Sequence, residues 1–139
     1  MSADNPVIVV LAGVIARDGK LLVTQRLEGT HLSGYWEFPG GKCEPGEDHE
    51  SCLAREILEE LNVAAQVGPE ILVTEHAYPT RTVRLHFRHC RIKGEPSAVL
   101  GQAMRWITRE ELGGLQFPEA DRELIELLSK PTSPTRDQP

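Results

Sequence analysis

The chain has 139 residues, of which 40% are apolar, and this is enough for one hydrophobic core in a single domain. Its formal net charge of −6 excludes the basic surface expected of a duplex-binding protein, but a small anionic ligand remains compatible if cations neutralise it. No apolar run reaches membrane-spanning length, and residues 1–6 lack the basic and apolar regions of a signal peptide.

The three cysteines are Cys43, Cys52 and Cys90. They have no Cys-x-x-Cys spacing, and three cysteines cannot all pair within one chain. We therefore expect reduced thiols in a cytoplasmic protein, and their spacing does not predict zinc.

The N-terminal third predicts a strand pair followed by a loop. Residues 1–6 are expected to form a loose leader, and the dense apolar run of residues 7–16 predicts a buried strand. Asp18-Gly19 is typical of a tight hairpin, and residues 21–25 form the returning strand. Residues 27–35 are polar and contain glycine, which predicts a loop that could move over a ligand.

A Gly- and Pro-rich stretch and a helix follow, between Trp36 and Val63. We expect no regular element in the Gly- and Pro-rich part. Asp48 is a suitable N-cap, and the helix is expected to end near Leu61, because Asn62 can adopt the left-handed conformation that closes helices.

The predicted helix has two contrasting sides. Glu56, Glu59 and Glu60 lie on one side with Cys52 beside them. Carboxylates this close repel one another, and hard divalent cations prefer carboxylate oxygens. A solvated acidic face is the alternative interpretation. The opposite side is apolar and consists of Leu53, Ala54, Ile57, Leu58 and Leu61.

Beyond the helix, two longer strands are predicted. Residues 65–77 suggest a strand interrupted near Gly68-Pro69. Residues 82–92 alternate apolar and polar side chains, which is typical of a half-exposed strand. The polar face and the preceding turn could wall a ligand pocket, or the face could simply be solvated.

The C-terminal part predicts a short strand and two helices. Residues 104–107 form the strand, and residues 108–111 fit a capping box that opens a brief helix. Residues 119–128 predict a terminal helix, and residues 130–139 a disordered tail. Strands around a central helix, with a terminal helix, indicate a layered α/β domain over residues 7–129. The inward side chains of the terminal helix are expected to be Leu124, Ile125, Leu127 and Leu128.

The central stretch resembles the sequence box of the Nudix family. Gly41 is followed after five residues by Glu47, and after seven more by the run from Arg55 to Val63. Asn62 stands where the family usually has glycine, which is a mild departure because asparagine tolerates the same backbone conformation. The preceding residues 36–42, Trp-Glu-Phe-Pro-Gly-Gly-Lys, are similar to the MutT-like branch, which cleans nucleotide pools.

The resemblance implies an α/β/α sandwich with a central mixed sheet between helices. It also implies a Mg²⁺-dependent hydrolase, with Mn²⁺ as a possible substitute, that converts a nucleoside triphosphate to the monophosphate and pyrophosphate by water attack at the β-phosphorus. The substrate expected is 8-oxo-dGTP, with CTP or dCTP as the alternative. A Nudix hydrolase for other diphosphates such as ADP-ribose, and an inactive nucleotide-binding module, are further alternatives.

The resemblance assigns Mg²⁺ binding to Glu56, Glu59 and Glu60, with the carbonyl of Gly40 as a further ligand. Arg55 is expected to orient a carboxylate of the box, and Glu47 to brace the loop. Relatives commonly carry a glutamate where this chain has Leu100. The general base that activates water would then be Glu59 or Glu60, or a carboxylate from another loop, or the enzyme would be slow. We favour a general base within the box.

Substrate contacts are expected on both sides of the box, with one small-molecule nucleotide as the partner and a monomer or homodimer as the assembly. By resemblance, Arg26 lies by the phosphates. Asp121 aligns with a base-recognition segment, but could equally cap the terminal helix. Phe38 and Tyr78 could pack on the base or belong to the core, and Lys42 could face a phosphate or solvent. The substrate-binding residues predicted are Arg26, Phe38, Lys42, Tyr78, Arg81, Phe117 and Asp121.

Overall fold

The computed structural model describes residues 6–130, so the predicted leader and tail lie outside the described residues except for Pro6 and Lys130. No helix among these residues is long and apolar enough to cross a membrane. Two short 3₁₀ turns cover Glu110–Gly114 and Glu119–Asp121. The strands and helices are β1 (Val7–Arg17), β2 (Lys20–Gln25), β3 (Trp36–Glu37), β4 (Gly40–Lys42), α1 (His49–Leu61), β5 (Ala64–Ala77), β6 (Thr82–Lys93), β7 (Met104–Ile107) and α2 (Arg122–Ser129).

The sheet is mixed, and β1 is its centre. β1 pairs in parallel with β6 and antiparallel with β2 and β4. The main strand order is β3-β2-β1-β6-β5, with β7 paired to β2. The predicted Asp18-Gly19 turn joins β1 to β2, and both residues have the positive φ that such turns require.

Two apolar clusters cover the two faces of the sheet, as expected of the α/β/α sandwich. One cluster packs α1 against Leu11, Ile15 and Leu22. The other packs Leu124 and Leu128 of α2 against the opposite face, around Phe38 and Phe87. Alternation along β1 produces this division, because successive side chains of a strand point to opposite faces.

The limits of α1 are as predicted. The Asp48 side chain accepts a hydrogen bond from the amide of Ser51 at 2.8 Å, and Asn62 adopts the left-handed conformation at φ 56°. The apolar side differs in part, because Leu58 is 52% exposed whereas Cys52 is buried.

The prediction of reduced thiols is wrong for two of the three cysteines. Cys43 and Cys52 form a disulfide, and Cys90 is free and buried. Cys52 turns inward because it joins the core under α1 and bonds to the strand beside it.

Three other predictions need correction. The glycine-rich stretch is not irregular throughout, because Gly40–Lys42 pairs with Val10–Ala12 as β4. The polar face of β6 is not generally solvated, since His86 is only 9% exposed and packs beneath the start of α1. Leu127 is 43% exposed instead of packing inward.

Candidate active site

The box residues surround Arg55 and the glycine pair, and we call this group the acidic cradle: Gly40, Gly41, Glu47, Arg55, Glu56, Glu59 and Glu60. Helix α1 carries its arginine and three of its glutamates, while β4 carries the glycines. Since α1 contacts β4 directly, the two halves of the group are held against each other.

Arg55 organises the carboxylates of the cradle. Its Nε and Nη2 donate to the two carboxylate oxygens of Glu47 at 2.7 and 2.9 Å, which is a bidentate contact. Its Nη1 donates to Glu56 at 2.9 Å and to Glu59 at 3.3 Å. These hydrogen bonds raise the pKa of Arg55. The contact between Arg55 and Glu47 lowers the pKa of Glu47 to about 2. This geometry is compatible with Arg55 and Glu47 as supports, and those roles stay predictions.

Glu60 is in a different electrostatic position. Burial, together with repulsion from Glu37 and Glu56, raises its pKa to about 8. Its side chain accepts one hydrogen bond, from the amide of Gly40 at 3.4 Å. Burial and neighbouring carboxylates therefore dominate the electrostatic environment of Glu60.

The donor set fits a divalent cation. The Glu56 carboxylate lies so close to Gly41 that a Cβ there would be 2.2 Å from its Oε1, so a side chain at position 41 would displace this carboxylate. A cation would relieve the repulsion around Glu60, and carboxylate oxygens suit a hard divalent ion. Glu56 and Glu59 share Nη1 of Arg55, so a bound cation would compete with that guanidinium.

The glutamates of α1 do not converge tightly by themselves. In the described part of the chain, two groups of three His, Cys, Asp or Glu side chains have ligand atoms within 4.8 Å of one another. Neither group includes Glu56, Glu59 or Glu60. One consists of Cys43, Glu47 and Cys52, and the disulfide removes its thiolates from metal binding.

A cavity of about 270 Å³ joins the cradle to the other face of the sheet. Gly40, Gly41 and Glu60 form one part of its lining. We call another part of the lining the base pocket, after the role predicted for Asp121; it consists of Phe38, Leu85, Phe87, Pro118, Ala120 and Asp121. A larger cavity of about 570 Å³ lies by the irregular pairing of β5 and β6, and its lining has no carboxylate.

Asp121 faces the base pocket and does not cap α2. Its side chain makes no capping hydrogen bond, and it is only 6% exposed. Burial, together with the negative charge of Glu37, raises its pKa to about 7. At neutral pH this carboxyl group therefore lies close to its midpoint, and it can accept or donate hydrogen bonds.

The predicted aromatic contacts separate into two groups. Phe38 lines the base pocket and stacks on Phe117 with ring centroids 5.4 Å apart, so Phe117 supports Phe38 from behind. Tyr78 lies in the turn between β5 and β6, with the Arg81 guanidinium 5.6 Å from its ring centroid. Neither Tyr78 nor Arg81 lines the cavity, and their substrate roles stay predictions.

The two predicted phosphate contacts lie on different sides. Arg26 lines the cavity and donates to the Glu37 carboxylate at 2.9 Å. Lys42 lines a separate cavity beside the start of α1, together with Cys43 and His49. The structure thus brings Arg26, but not Lys42, to the space that contains Glu60 and Asp121.

Glu37 is a site residue that the sequence analysis missed. It lines the cavity, and its charge raises the pKa values of both Glu60 and Asp121. The sequence shows Glu37 only as part of the Trp36–Lys42 motif, because its pairing with Arg26 depends on how β3 joins β2.

Leu100 brings no carboxylate to the cavity, because leucine has an apolar side chain. It is 57% exposed, and it lines a small space with Arg26, Glu37 and Glu60. The Gln102 side chain ties this loop to α1 by accepting from the amide of Leu100 and donating to the carbonyl of Glu60. Glu37 is thus the additional carboxylate beside Glu60, and it comes from a short strand instead of a loop.

Comparison with known proteins gives consistent matches. The model of the NUDIX domain family matches residues 10–127. A CTP pyrophosphohydrolase of Escherichia coli is 38% identical over 83% of this chain and 84% of its own length. An 8-oxo-dGTP diphosphatase of Haemophilus influenzae is 36% identical over 93% of this chain and 96% of its own length. The solution structure of the E. coli ORF135 protein superposes with a TM-score of 0.80 at 36% identity, covering 88% of each chain.

Proposed function

The chain belongs to the Nudix hydrolase family and is a pyrophosphohydrolase of phosphorus-containing anhydrides, and from this premise we propose that it hydrolyses 8-oxo-dGTP. The products are 8-oxo-dGMP and pyrophosphate, and the physiological role is sanitation of the nucleotide pool. Nudix hydrolases generally need a divalent metal, and we propose Mg²⁺ here, with Mn²⁺ as a substitute.

One observation carries the proposal: a single cavity is lined both by Gly40, Gly41 and Glu60 of the acidic cradle and by the buried carboxyl group of Asp121 with aromatic walls. A nucleoside triphosphate has the same division, with an anionic chain at one end and a flat base at the other. Arg26 lines the same cavity, and we assign it to contact with the phosphates.

The cation would be held by Glu56, Glu59 and Glu60, with the Gly40 carbonyl as a further ligand. When bound, it supplies positive charge to phosphoryl oxygens and lowers the pKa of the attacking water. Arg55 fixes the carboxylates of Glu56 and Glu59, while Glu47 fixes Arg55 in turn. These contacts hold the glutamates in position before substrate arrives.

We assign the general base to the box, with Glu59 and Glu60 as the candidates. Glu60 lines the cavity, whereas the Glu59 side chain is 59% exposed. Glu60 is therefore the better candidate. A base must be unprotonated to accept a proton, and the positive charge of a bound cation would favour that state of Glu60.

Asp121 is proposed to recognise the base. Its ionised form accepts hydrogen bonds, and the N1–H and N2–H groups of a guanine offer two donors on one edge. Phe38 packs beside it as an apolar wall that is held by Phe117. A neutral cytosine edge has one amino donor and one acceptor, which would match the protonated carboxyl group instead.

CTP or dCTP is the second candidate substrate. The E. coli relative that is 38% identical is a CTP pyrophosphohydrolase, and the pKa of about 7 makes the protonated form of Asp121 available at neutral pH. The intact glutamates of the box count against an inactive binding module. Residues 36–42 favour triphosphates over ADP-ribose, because they resemble the MutT-like branch.

The test is a panel of triphosphates with pyrophosphate detection in Mg²⁺, Mn²⁺ and excess chelator. The panel contains 8-oxo-dGTP, dGTP, dCTP, CTP and UTP, and ADP-ribose is included with phosphate detection. We expect 8-oxo-dGTP to have the highest kcat/KM and chelator to abolish turnover. Highest kcat/KM for CTP or dCTP would replace the first candidate with the second, and no Mg²⁺-dependent turnover of any compound would refute the hydrolase assignment.

The proposed setting is the cytoplasm, where free nucleotides are present, with the enzyme as a monomer or homodimer. The Cys43–Cys52 disulfide is more typical of oxidising compartments, so the location rests on the substrate and not on the cysteines. Cell fractionation tests the location, and light scattering of the purified protein measures its mass in solution.

A further inference from the structure

Three side chains outside the acidic cradle and the base pocket converge at the start of α1. His49 is the first residue of α1, Glu70 lies on β5 and His86 lies on β6. Each offers one ligand atom, and these atoms all lie within 4.8 Å of one another. His86 Nδ1 is 2.7 Å from Glu70 Oε1, and the two imidazole ring centroids are 4.4 Å apart.

From this geometry we propose that His49, Glu70 and His86 bind one zinc ion. Two imidazoles and one carboxylate form a donor set that Zn²⁺ prefers, with bonds of about 2.0–2.2 Å and a fourth position left for water. Ligand atoms around such an ion are about 3.4 Å apart, so separations of up to 4.8 Å need side-chain movements of only about 1 Å. Mg²⁺ is a poor competitor because it prefers oxygen ligands.

The secondary structure holds the three groups at fixed positions. His86 is only 9% exposed and is fixed between neighbouring strands. Glu70 lies at the irregular pairing of β5 with β6, where the register shifts and the carboxylate reaches His86. His49 is fixed by the N-cap of α1, since Asp48 directly precedes it. Small rotations of the side chains would complete the site without rearrangement of the backbone.

The zinc site lies on the opposite face of the sheet from the base pocket. His86 contacts His49 of α1, whereas its neighbours Leu85 and Phe87 line the base pocket. Alternation along β6 separates the two groups. An ion bound by His86 would therefore not touch the nucleotide.

Zinc at this position would connect the start of α1 to β5 and β6. Glu47, which holds Arg55, is two residues before His49. The ion would therefore stabilise the end of the helix from which the acidic cradle is supported. Its effect would be on stability, because none of its ligands belongs to the cradle.

The test is zinc binding by the metal-free full chain in millimolar Mg²⁺ without nucleotide, measured by calorimetry and by competition with a chromophoric chelator. We expect one equivalent of zinc that excess Mg²⁺ does not displace. His49→Ala and His86→Ala should each weaken binding by at least about 100-fold, and Glu70→Gln by about 10- to 100-fold. His31→Ala is the matched control, because His31 is an exposed loop histidine, and it should bind zinc as the wild type does.

Cobalt provides a second readout that does not depend on affinity. Co²⁺ bound by nitrogen and oxygen ligands should give visible ligand-field bands without an intense sulfur-to-cobalt charge-transfer band. Circular dichroism confirms that each variant is folded, and His49→Ala changes a partly exposed residue that the core does not need. The proposal is overturned if folded His49→Ala binds zinc like the wild type, if Mg²⁺ displaces the zinc, or if the cobalt spectrum shows sulfur ligation.

Discussion

The acidic cradle and the base pocket share one cavity through Gly40, Gly41 and Glu60, yet they are built in different ways. Every member of the cradle comes from the 21 residues between Gly40 and Glu60, and the spacing along one helix sets which carboxylates are neighbours. The base pocket takes Phe38 from the bend after β3, Leu85 and Phe87 from β6, and Pro118, Ala120 and Asp121 from the segment before α2. In the proposed function this contrast separates the two tasks: chemistry would depend on a local motif, and base choice on how distant segments meet.

If the cradle carries the chemistry, Glu60→Gln should have the largest effect on turnover. Glutamine can neither accept a proton nor carry the charge that binds a cation, so we expect kcat to fall by about 10³-fold. Pyrophosphate release measures this loss, and thermal unfolding checks the fold. Glu59→Gln should also lower kcat, but by less, because its side chain is more exposed. The matched control Glu126→Gln, at an exposed position of α2, should retain full activity. Near-normal rates in both cradle variants would show that the base lies elsewhere.

Gly40→Ala tests whether the cradle also depends on close backbone contact. A Cβ at position 40 would lie 1.9 Å from the carbonyl oxygen of Leu11, which is backbone in the central strand and cannot rotate away. We expect a loss of at least about 3 kcal/mol in the free energy of unfolding, measured by urea denaturation. Gly113→Ala is the control, because nothing lies within 4 Å of its Cβ position and it should be neutral.

Arg55→Lys should have a smaller effect that remains confined to the cradle. Lysine keeps the positive charge but cannot make the bidentate contact with Glu47 while reaching Glu56. We expect kcat/KM to fall by about 10- to 100-fold with little change in the preference among bases. Arg122→Lys, at an exposed surface ion pair, provides the control. A changed order of preferred bases in Arg55→Lys would mean that the cradle and the base pocket are not separable.

Asp121→Asn should act in the base pocket, on selectivity and its pH dependence. As pH rises through about 7, wild-type Asp121 changes from a donor to an acceptor, so the ratio of kcat/KM for 8-oxo-dGTP over dCTP should rise. Asparagine does not titrate, so the ratio in the variant should stay level between pH 6 and pH 8. The selectivity of the variant should differ from that of the wild type by about tenfold. A pH-dependent ratio that persists in Asp121→Asn would assign the effect to another group.

The same residue predicts a stability trend. The folded-state pKa of Asp121 is raised, so its protonated form stabilises the protein below pH 4, and this contribution is lost as pH rises through about 7. Wild-type Tm should therefore fall relative to that of Asp121→Asn between pH 5 and pH 8. Differential scanning calorimetry at both pH values gives the comparison.

The sequence predicted the cradle because its information is local. Asp48, Asn62 and the glutamate spacing define α1 and its acidic side without knowledge of the sheet. It did not predict Glu37, because the influence of Glu37 on Glu60 and Asp121 depends on how β3 pairs with β2. The same limit applies to His86: alternation placed it on a polar face, but only the packing of α1 covers that face. Helical angle alone places Cys52 beside the acidic side, and it does not reveal the bond to Cys43 that turns Cys52 inward.

The Cys43–Cys52 bond closes a small covalent ring around the turn that contains Glu47. In a chain-entropy treatment a ring of this size stabilises the folded state by roughly 2.5 kcal/mol. Residues Glu44, Pro45 and Gly46 are exposed within it and accessible to a protease. A peptide-bond cut there would leave the two fragments tethered, so they should migrate together on a non-reducing gel and separate only after a thiol reductant is added.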